Sequence, residues 1–309
     1  MRRIVANIKN VVIVGLGAIG SIYAVKLSQF DPQCVTVLVD EGRKQRYQRE
    51  GILFNGERFD FNYLTPQDVK QPADLILIAT KSQGLSEAIE AIAPLVHEDT
   101  VIISLLNGIS GPTALAERYG WEHVLYAFFT GHGSTRVGNA VTFDGVGTIV
   151  FGEADNSHYS DKLQRVVDLF DQAHIDYDIP QDMLLAMWKK FVLNVGVNQA
   201  SAVLHASYGD FQRNPQALEV ATMLMQEAIH VAEAVGINQT ETLLPWCLDF
   251  IQNMPSDFKS SMLQDIEAGR QTEIDLFAGT VCELGDAHQV DTPYNRLFLK
   301  LIRALESAD

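Results

Sequence analysis

Four groups of residues in this chain of 309 are spaced for chemistry. The first is Lys190, Asn194 and Asn198, at i, i+4 and i+8 of a segment that reads as helix, so an ammonium and two amides share one face. Phe191, Val192, Leu193, Val195 and Val197 flank that face with apolar surface. A lysine so placed is desolvated, its pKa falls, and it becomes usable in proton transfer. The plain alternative is a surface lysine beside two asparagines. The second group is Ser261, Asp265 and Glu273 in SSMLQDIEAGRQTEID. Steps of four residues would line these along one helical groove, unless Thr272 caps a restarted helix and Glu273 is an exposed carboxylate. The third is Lys81, directly after the apolar run DLILIAT, and Asn107-Gly108, directly after TVIISLL. Strand ends would put both at a ligand-binding rim, with a tight turn as the alternative for Asn107-Gly108. His132 and His205 have no partner at helical or metal-ligand spacing and read as ordinary polar residues.

The fourth group is a full GxGxxG, Gly15-Leu16-Gly17-Ala18-Ile19-Gly20, after an apolar run and opening a helix. Gly15 would permit the tight turn, Gly17 the approach of a pyrophosphate, and Gly20 close packing of helix on strand. The N–H groups of the helix N-terminus would face the phosphates. Asp40, 20 residues past Gly20, stands at the end of the next apolar run. The motif therefore predicts a dinucleotide site, against a ligand-free glycine turn or a methyltransferase loop. Asp40 would bind a ribose 2′-hydroxyl and favour NAD(H), yet Arg43, Lys44, Arg46 and Arg49 follow and two of them would reach a 2′-phosphate. On these residues alone the choice stays open.

Such groups need a scaffold. Residues 9–16, 34–39, 74–80 and 100–106 are apolar runs of buried-strand type, alternating with helical stretches at 18–29 and near 84–93. That alternation predicts a parallel, doubly wound α/β sheet of Rossmann type. Residues 123–130 and 146–152 add strand character, 160–172 a helix, and 176–180 a last strand. Beyond Pro180 the pattern is helical, with 216–235 ending at Gly236 and 257–288 as one long helical stretch. The expected organisation is an α/β dinucleotide-binding domain over residues 1–180 and an all-helical substrate domain over 181–309, with the substrate between them.

Composition limits the function classes. Hydrophobic residues make up 47% and charged residues 20%, as in globular proteins. Lys plus Arg is 23 against 39 Asp plus Glu, a net charge of −16, which repels phosphate backbones and anionic lipid, so neither nucleic acid nor membrane is an expected partner. Cys34, Cys247 and Cys282 are odd in number and lack CxxC spacing, against a disulfide framework or zinc site. No run reaches the ~18 apolar residues of a spanning helix, and the basic start lacks a signal-peptide cleavage site. The expectation is a cytoplasmic protein without a metal.

Taken in order, GLGAIG (15–20), ATK (79–81), LNG (106–108), WKKFVLN (188–194) with Asn198, and SSMLQDIEAGRQTEID (260–275) resemble the ketopantoate (2-dehydropantoate 2-) reductase family over essentially the whole chain. The resemblance implies NADPH-dependent reduction of 2-dehydropantoate to (R)-pantoate, on the route to pantothenate and coenzyme A. It implies Lys190 as general acid, Glu273 as the carboxylate touching that lysine and the substrate hydroxyl, and Asn194 and Asn198 as ligands of the same hydroxyl. Asn107 and Ser261 become carboxylate and cofactor-side contacts, and Lys81 a neighbour of the cofactor. Gln199 replaces a frequent proline, Ala278 a frequent asparagine, and Asp40 a basic or neutral residue. Reduction of another branched 2-keto acid, or a non-catalytic dinucleotide sensor, are the alternatives; a monomer or homodimer is expected.

Overall fold

The computed structural model describes residues 7–131, 134–143, 145 and 147–307; His132 lies outside them. The chain divides into two compact units. One runs to Asn107 and resumes over Gly111–Met183; the other takes Gly108–Ser110 and continues from Leu184.

In the first unit the strands in chain order are β1 (Val11–Val14), β2 (Val35–Leu38), β3 (Ile52–Phe54), β4 (Glu57–Phe59), β5 (Asn62–Leu64), β6 (Leu75–Ile78), β7 (Val101–Ser104), β8 (Val124–Gly131), β9 (Ser134–Val137), β10 (Ala140–Phe143), β11 (Gly147–Gly152) and β12 (Tyr177–Asp178). Helices α1 (Ala18–Phe30), α2 (Glu41–Glu50), α3 (Leu85–Ala91), α4 (Ser110–Tyr119) and α5 (Asp161–Gln172) alternate with them. The main sheet has the order β12-β11-β8-β7-β6-β1-β2-β5. The runs VVIV, LILI and VIIS are buried along their whole length, because helices cover both faces of the sheet and leave no polar side. Val11–Val14 pairs in parallel with Val35–Leu38 on one side and Leu75–Ile78 on the other, so the strand order reverses about β1.

Two features depart from the sequence reading. The sheet is mixed, not wholly parallel, since β11 runs antiparallel to β8. A second sheet, β4-β3-β10-β9, packs against α1. Its strands are three or four residues long and only partly buried, so they lack the apolar run that marks a strand in sequence.

The second unit is built around α6 (Met183–Leu204), followed by α7 (Tyr208–Arg213), α8 (Pro215–Ala234), α9 (Leu243–Asn253), α10 (Ser261–Glu267), α11 (Thr280–His288) and α12 (Pro293–Glu306). Phe191, Val192, Val195 and Val197 of α6 join Met225, Val231, Cys247, Phe277 and Ile302 in one core. A Cβ on Gly196 would lie 2.4 Å from the Met225 side chain and 2.8 Å from the Ala221 carbonyl oxygen. Glycine is what lets α8 approach α6 so closely.

The stretch 257–288 is not one helix. It breaks after α10, with Gly269 at φ +60, then restarts as a π-helical turn at Asp275–Gly279 before α11. Ser261, Asp265 and Glu273 therefore do not share a helical groove. Asp265 closes the break instead, its carboxylate accepting from Arg270 Nε at 2.7 Å and its carbonyl from the Arg270 N–H.

Candidate active site

Four neighbouring strands of the first unit, in the order β7-β6-β1-β2, end in residues of the polar groups above. At these carboxyl ends stand Asn107, Lys81, the loop 15–20 and Asp40, across the reversal of strand order where open α/β sheets bind ligands. Gly15 has φ +98, and a Cβ there would lie 2.7 Å from the Ala79 carbonyl oxygen; a Cβ on Gly20 would lie 1.9 Å from the Gly15 carbonyl oxygen. These two glycines are demanded by the fold. Gly17 is different, because a Cβ there meets only Ala79 oxygen at 3.6 Å. Among the described residues beyond its chain neighbours, no side chain comes within 4 Å of that position.

Gly17 also caps α1 with no side-chain bond, and the first turn of α1 carries no acidic residue. The helix N-terminus thus keeps its positive end for a phosphate. The hydroxyl oxygens of Thr80 and Ser104, at the ends of β6 and β7, are buried without a hydrogen-bond partner. Leu16 is buried, and Ala18 and Ile19 are half-buried. This cradle, with Asp40 at the end of β2, fits a nicotinamide dinucleotide.

In the second unit α6 is hidden almost all round. Between residues 187 and 202 only Lys189, Lys190 and Asn194 are not buried, while Asn198 is 5% exposed. Lys190 and Asn194, an ammonium and an amide, are thus accessible one turn apart on the same face. Loss of water pushes the Lys190 ammonium down to about 8, and the nearby Glu273 carboxylate opposes the fall. Such a lysine is mostly protonated at neutral pH yet gives up its proton far more readily than a surface lysine.

Glu273 is held from both sides. Thr272 is buried and donates through both its N–H and its hydroxyl to Glu306 of α12, at 2.7 and 2.6 Å. The Ile274 N–H donates back to the Thr272 hydroxyl. Thr272 thus caps the restart, as the alternative reading of that segment held, and Glu273 sits half-buried at the head of the π turn, a helix form often found at functional sites.

The structure brings Lys190 and Glu273 within electrostatic reach and lines Asn194 and Asn198 along the same helix. It places Lys81 and Ser261 exposed and Asn107 half-buried. Ser261 follows the buried Ser260, whose hydroxyl accepts from the Leu263 N–H and caps α10. His205, at φ +50 just beyond α6, is an exposed chain reversal. Among the described residues no group of three or more His, Cys, Asp or Glu converges to hold a metal, and no helix is long and apolar enough to cross a membrane.

Sequence reading missed a buried network behind α6. The Gln199 amide donates to Asn295 at 3.0 Å, and the Asn295 amide donates to Glu227 at 2.8 Å. Glu227 also accepts the N–H groups of Tyr294 and Asn295 at the start of α12. Gln199 replaces the proline frequent in the resembled family, and here its amide ties α6 to α12. Its only sequence signal is a polar residue among apolar ones.

Comparison with known proteins agrees with this geometry. The family model for ketopantoate reductase PanE/ApbA matches residues 11–156, and that for its C-terminal region matches 182–306. A 2-dehydropantoate 2-reductase from Yersinia pestis is 30% identical over 264 residues, covering 83% of this chain and 82% of its own. The crystal structure of 2-dehydropantoate 2-reductase from Geobacter metallireducens superposes with a TM-score of 0.82 at 26% identity, over 96% of this chain and 99% of that one. D-mandelate dehydrogenase with NADH and anilino(oxo)acetate superposes with a TM-score of 0.83 at 21% identity, over 97% and 98% of the two chains, which is likeness of fold.

Proposed function

This chain belongs to the ketopantoate reductase family of nicotinamide-dependent oxidoreductases, and on that premise we propose that it reduces 2-dehydropantoate to (R)-pantoate. The observation that carries this reading is the half-buried Lys190 on α6, whose loss of water pushes its ammonium down to about 8, with the Glu273 carboxylate near enough to oppose the fall. A dinucleotide sensor has no use for an ammonium desolvated to that degree beside a carboxylate.

The first unit would hold the cofactor on Gly15–Gly20, Asp40 and Lys81, and bound reduced nicotinamide would supply the hydride. The remaining work falls to the chain's own groups. Lys190 Nζ stabilises negative charge as it develops on the ketone oxygen and delivers the proton to that oxygen. Glu273 keeps Nζ protonated against the desolvation that surrounds it and accepts from the product hydroxyl. Asn194 and Asn198 orient that hydroxyl, and Asn107 with Ser261 bind the carboxylate end.

A second reading is favoured by one specific finding, the shared fold of D-mandelate dehydrogenase with NADH and anilino(oxo)acetate. It makes the substrate an aryl-substituted 2-keto acid. Initial rates of nicotinamide oxidation with 2-dehydropantoate, 2-ketoisovalerate and phenylglyoxylate decide between them. The proposal requires the highest kcat/KM for 2-dehydropantoate; a higher value for phenylglyoxylate transfers the assignment to the aryl acids.

A further inference from the structure

Beside the family resemblance, the basic run after β2 is what set a 2′-phosphate against Asp40, and the structure gives each of its members a neighbour. Arg43 Nε lies 3.4 Å from an Asp40 carboxylate oxygen. Lys44 Nζ is 2.5 Å from Asp68, and its side chain is only 20% exposed. Asp68 is itself fixed, accepting from the N–H and hydroxyl of Thr65, and its carboxyl is held down to about 2 by these bonds and Lys44. The Arg46 guanidinium lies over the Tyr47 ring, 5.0 Å from its centroid, and Arg49 pairs with Glu50 at 2.6 Å. Arg43, the basic residue nearest the strand end, lies exposed beside the carboxylate that a 2′-phosphate would have to tolerate.

Asp40 is equally well placed. One carboxylate oxygen accepts from the Arg43 N–H at 2.7 Å and caps α2, which fixes the side-chain rotamer at the end of β2. A carboxylate has about four acceptor positions, and half of this side chain is exposed, so acceptor capacity remains for a sugar hydroxyl. Resting on the reading that the glycine loop carries a nicotinamide dinucleotide, we propose that Asp40 is the specificity residue of this site and that it selects NADH over NADPH. The unphosphorylated ribose donates a hydrogen bond to it, whereas a 2′-phosphate meets the fixed Asp40 carboxylate, whose charge the exposed Arg43 beside it offsets only in part.

The test is equilibrium binding without substrate, by calorimetry or nicotinamide fluorescence, for NADH and NADPH with the full chain. The wild type should bind NADH at least about tenfold more tightly, since like charges oppose each other at a partly screened surface site. Asp40→Asn is the informative variant, because asparagine caps a helix as well as aspartate does, so α2 is kept while the charge is lost. It should gain roughly tenfold for NADPH and weaken NADH severalfold, because the ribose loses its anionic acceptor, so the preference for NADH collapses. A wild type that prefers NADPH, with the preference unmoved in Asp40→Asn and lost in Arg43→Ala, overturns the proposal and makes Arg43 the phosphate ligand. Binding of neither dinucleotide overturns instead the assignment of the glycine loop.

Discussion

Lys190, with the Glu273 carboxylate opposing its desolvation, sets an expected pH dependence. As general acid, Lys190 must be protonated when the ketone oxygen gains charge, and kcat/KM reports the pKa of the free enzyme. With that pKa near 8, kcat/KM should be flat from neutral pH to about 7.5 and fall roughly tenfold between pH 7 and pH 9. Glu273→Gln removes the charge that opposes desolvation, so the alkaline limb should move to lower pH. Lys190→Arg keeps a positive charge that is not lost anywhere in the assay range, so the limb near 8 should vanish along with roughly 10²–10⁴-fold of kcat. Lys189→Ala is the control, because one residue earlier points about 100° away around the helix. The assay is initial rate across pH 6 to 11 in buffers of constant ionic strength. An alkaline limb near 10.4, the ordinary lysine value, or one unmoved in Glu273→Gln, would refute the pairing.

Three further outcomes follow from the same contacts. Gly17→Val should leave thermal unfolding within a degree or two yet abolish dinucleotide binding, whereas Gly20→Ala, whose Cβ meets backbone at 1.9 Å, should lower the Tm itself; equal melting of both contradicts the division of roles. Gly196→Ala drives a methyl into Met225 and the Ala221 carbonyl, which should cost at least about 1–3 kcal/mol of stability by denaturant titration, and an unchanged midpoint would show that α8 gives way freely. Lys190→Met should be inactive but more stable by up to about 3 kcal/mol below pH 8, the worth of a pKa lowered from 10.5 to about 8. The sign follows from the lowered folded value: the wild type bears the full penalty below pH 8 and sheds it as pH rises toward 10.5, so the two unfolding curves should converge over that window.

What the chain revealed in advance was whatever rests on local pattern. VVIV, LILI and VIIS announce buried strands because covered strands have no polar face, and Gly15 and Gly20 announce a tight strand–helix junction because backbone fills the space a Cβ needs. The stripe Lys190, Asn194, Asn198 was legible from helical spacing alone. The short second sheet was not, since three-residue, half-exposed strands bury too little to leave a period. The break near Gly269 was legible only as the alternative to one long helix, through Gly269 and Thr272, and the bonds from Arg270 to Asp265 and from Thr272 to Glu306 decide for it. The basic run after Asp40 was undecidable by sequence, because whether a basic side chain is taken depends on partners such as Asp68, which holds Lys44 only once the chain has folded.

The central claim is that this chain transfers hydride to the ketone carbon of a 2-keto acid with Lys190 supplying the proton. Product mass spectrometry after incubation with 2-dehydropantoate and nicotinamide cofactor deuterated at the transferring carbon tests it most directly. The account predicts pantoate carrying a single deuterium at the carbinol carbon with wild-type protein, and little or none in the same time with Lys190→Met at equal dinucleotide occupancy. Tight dinucleotide binding with no deuterium in any 2-hydroxy acid, or undiminished transfer by Lys190→Met, would contradict it.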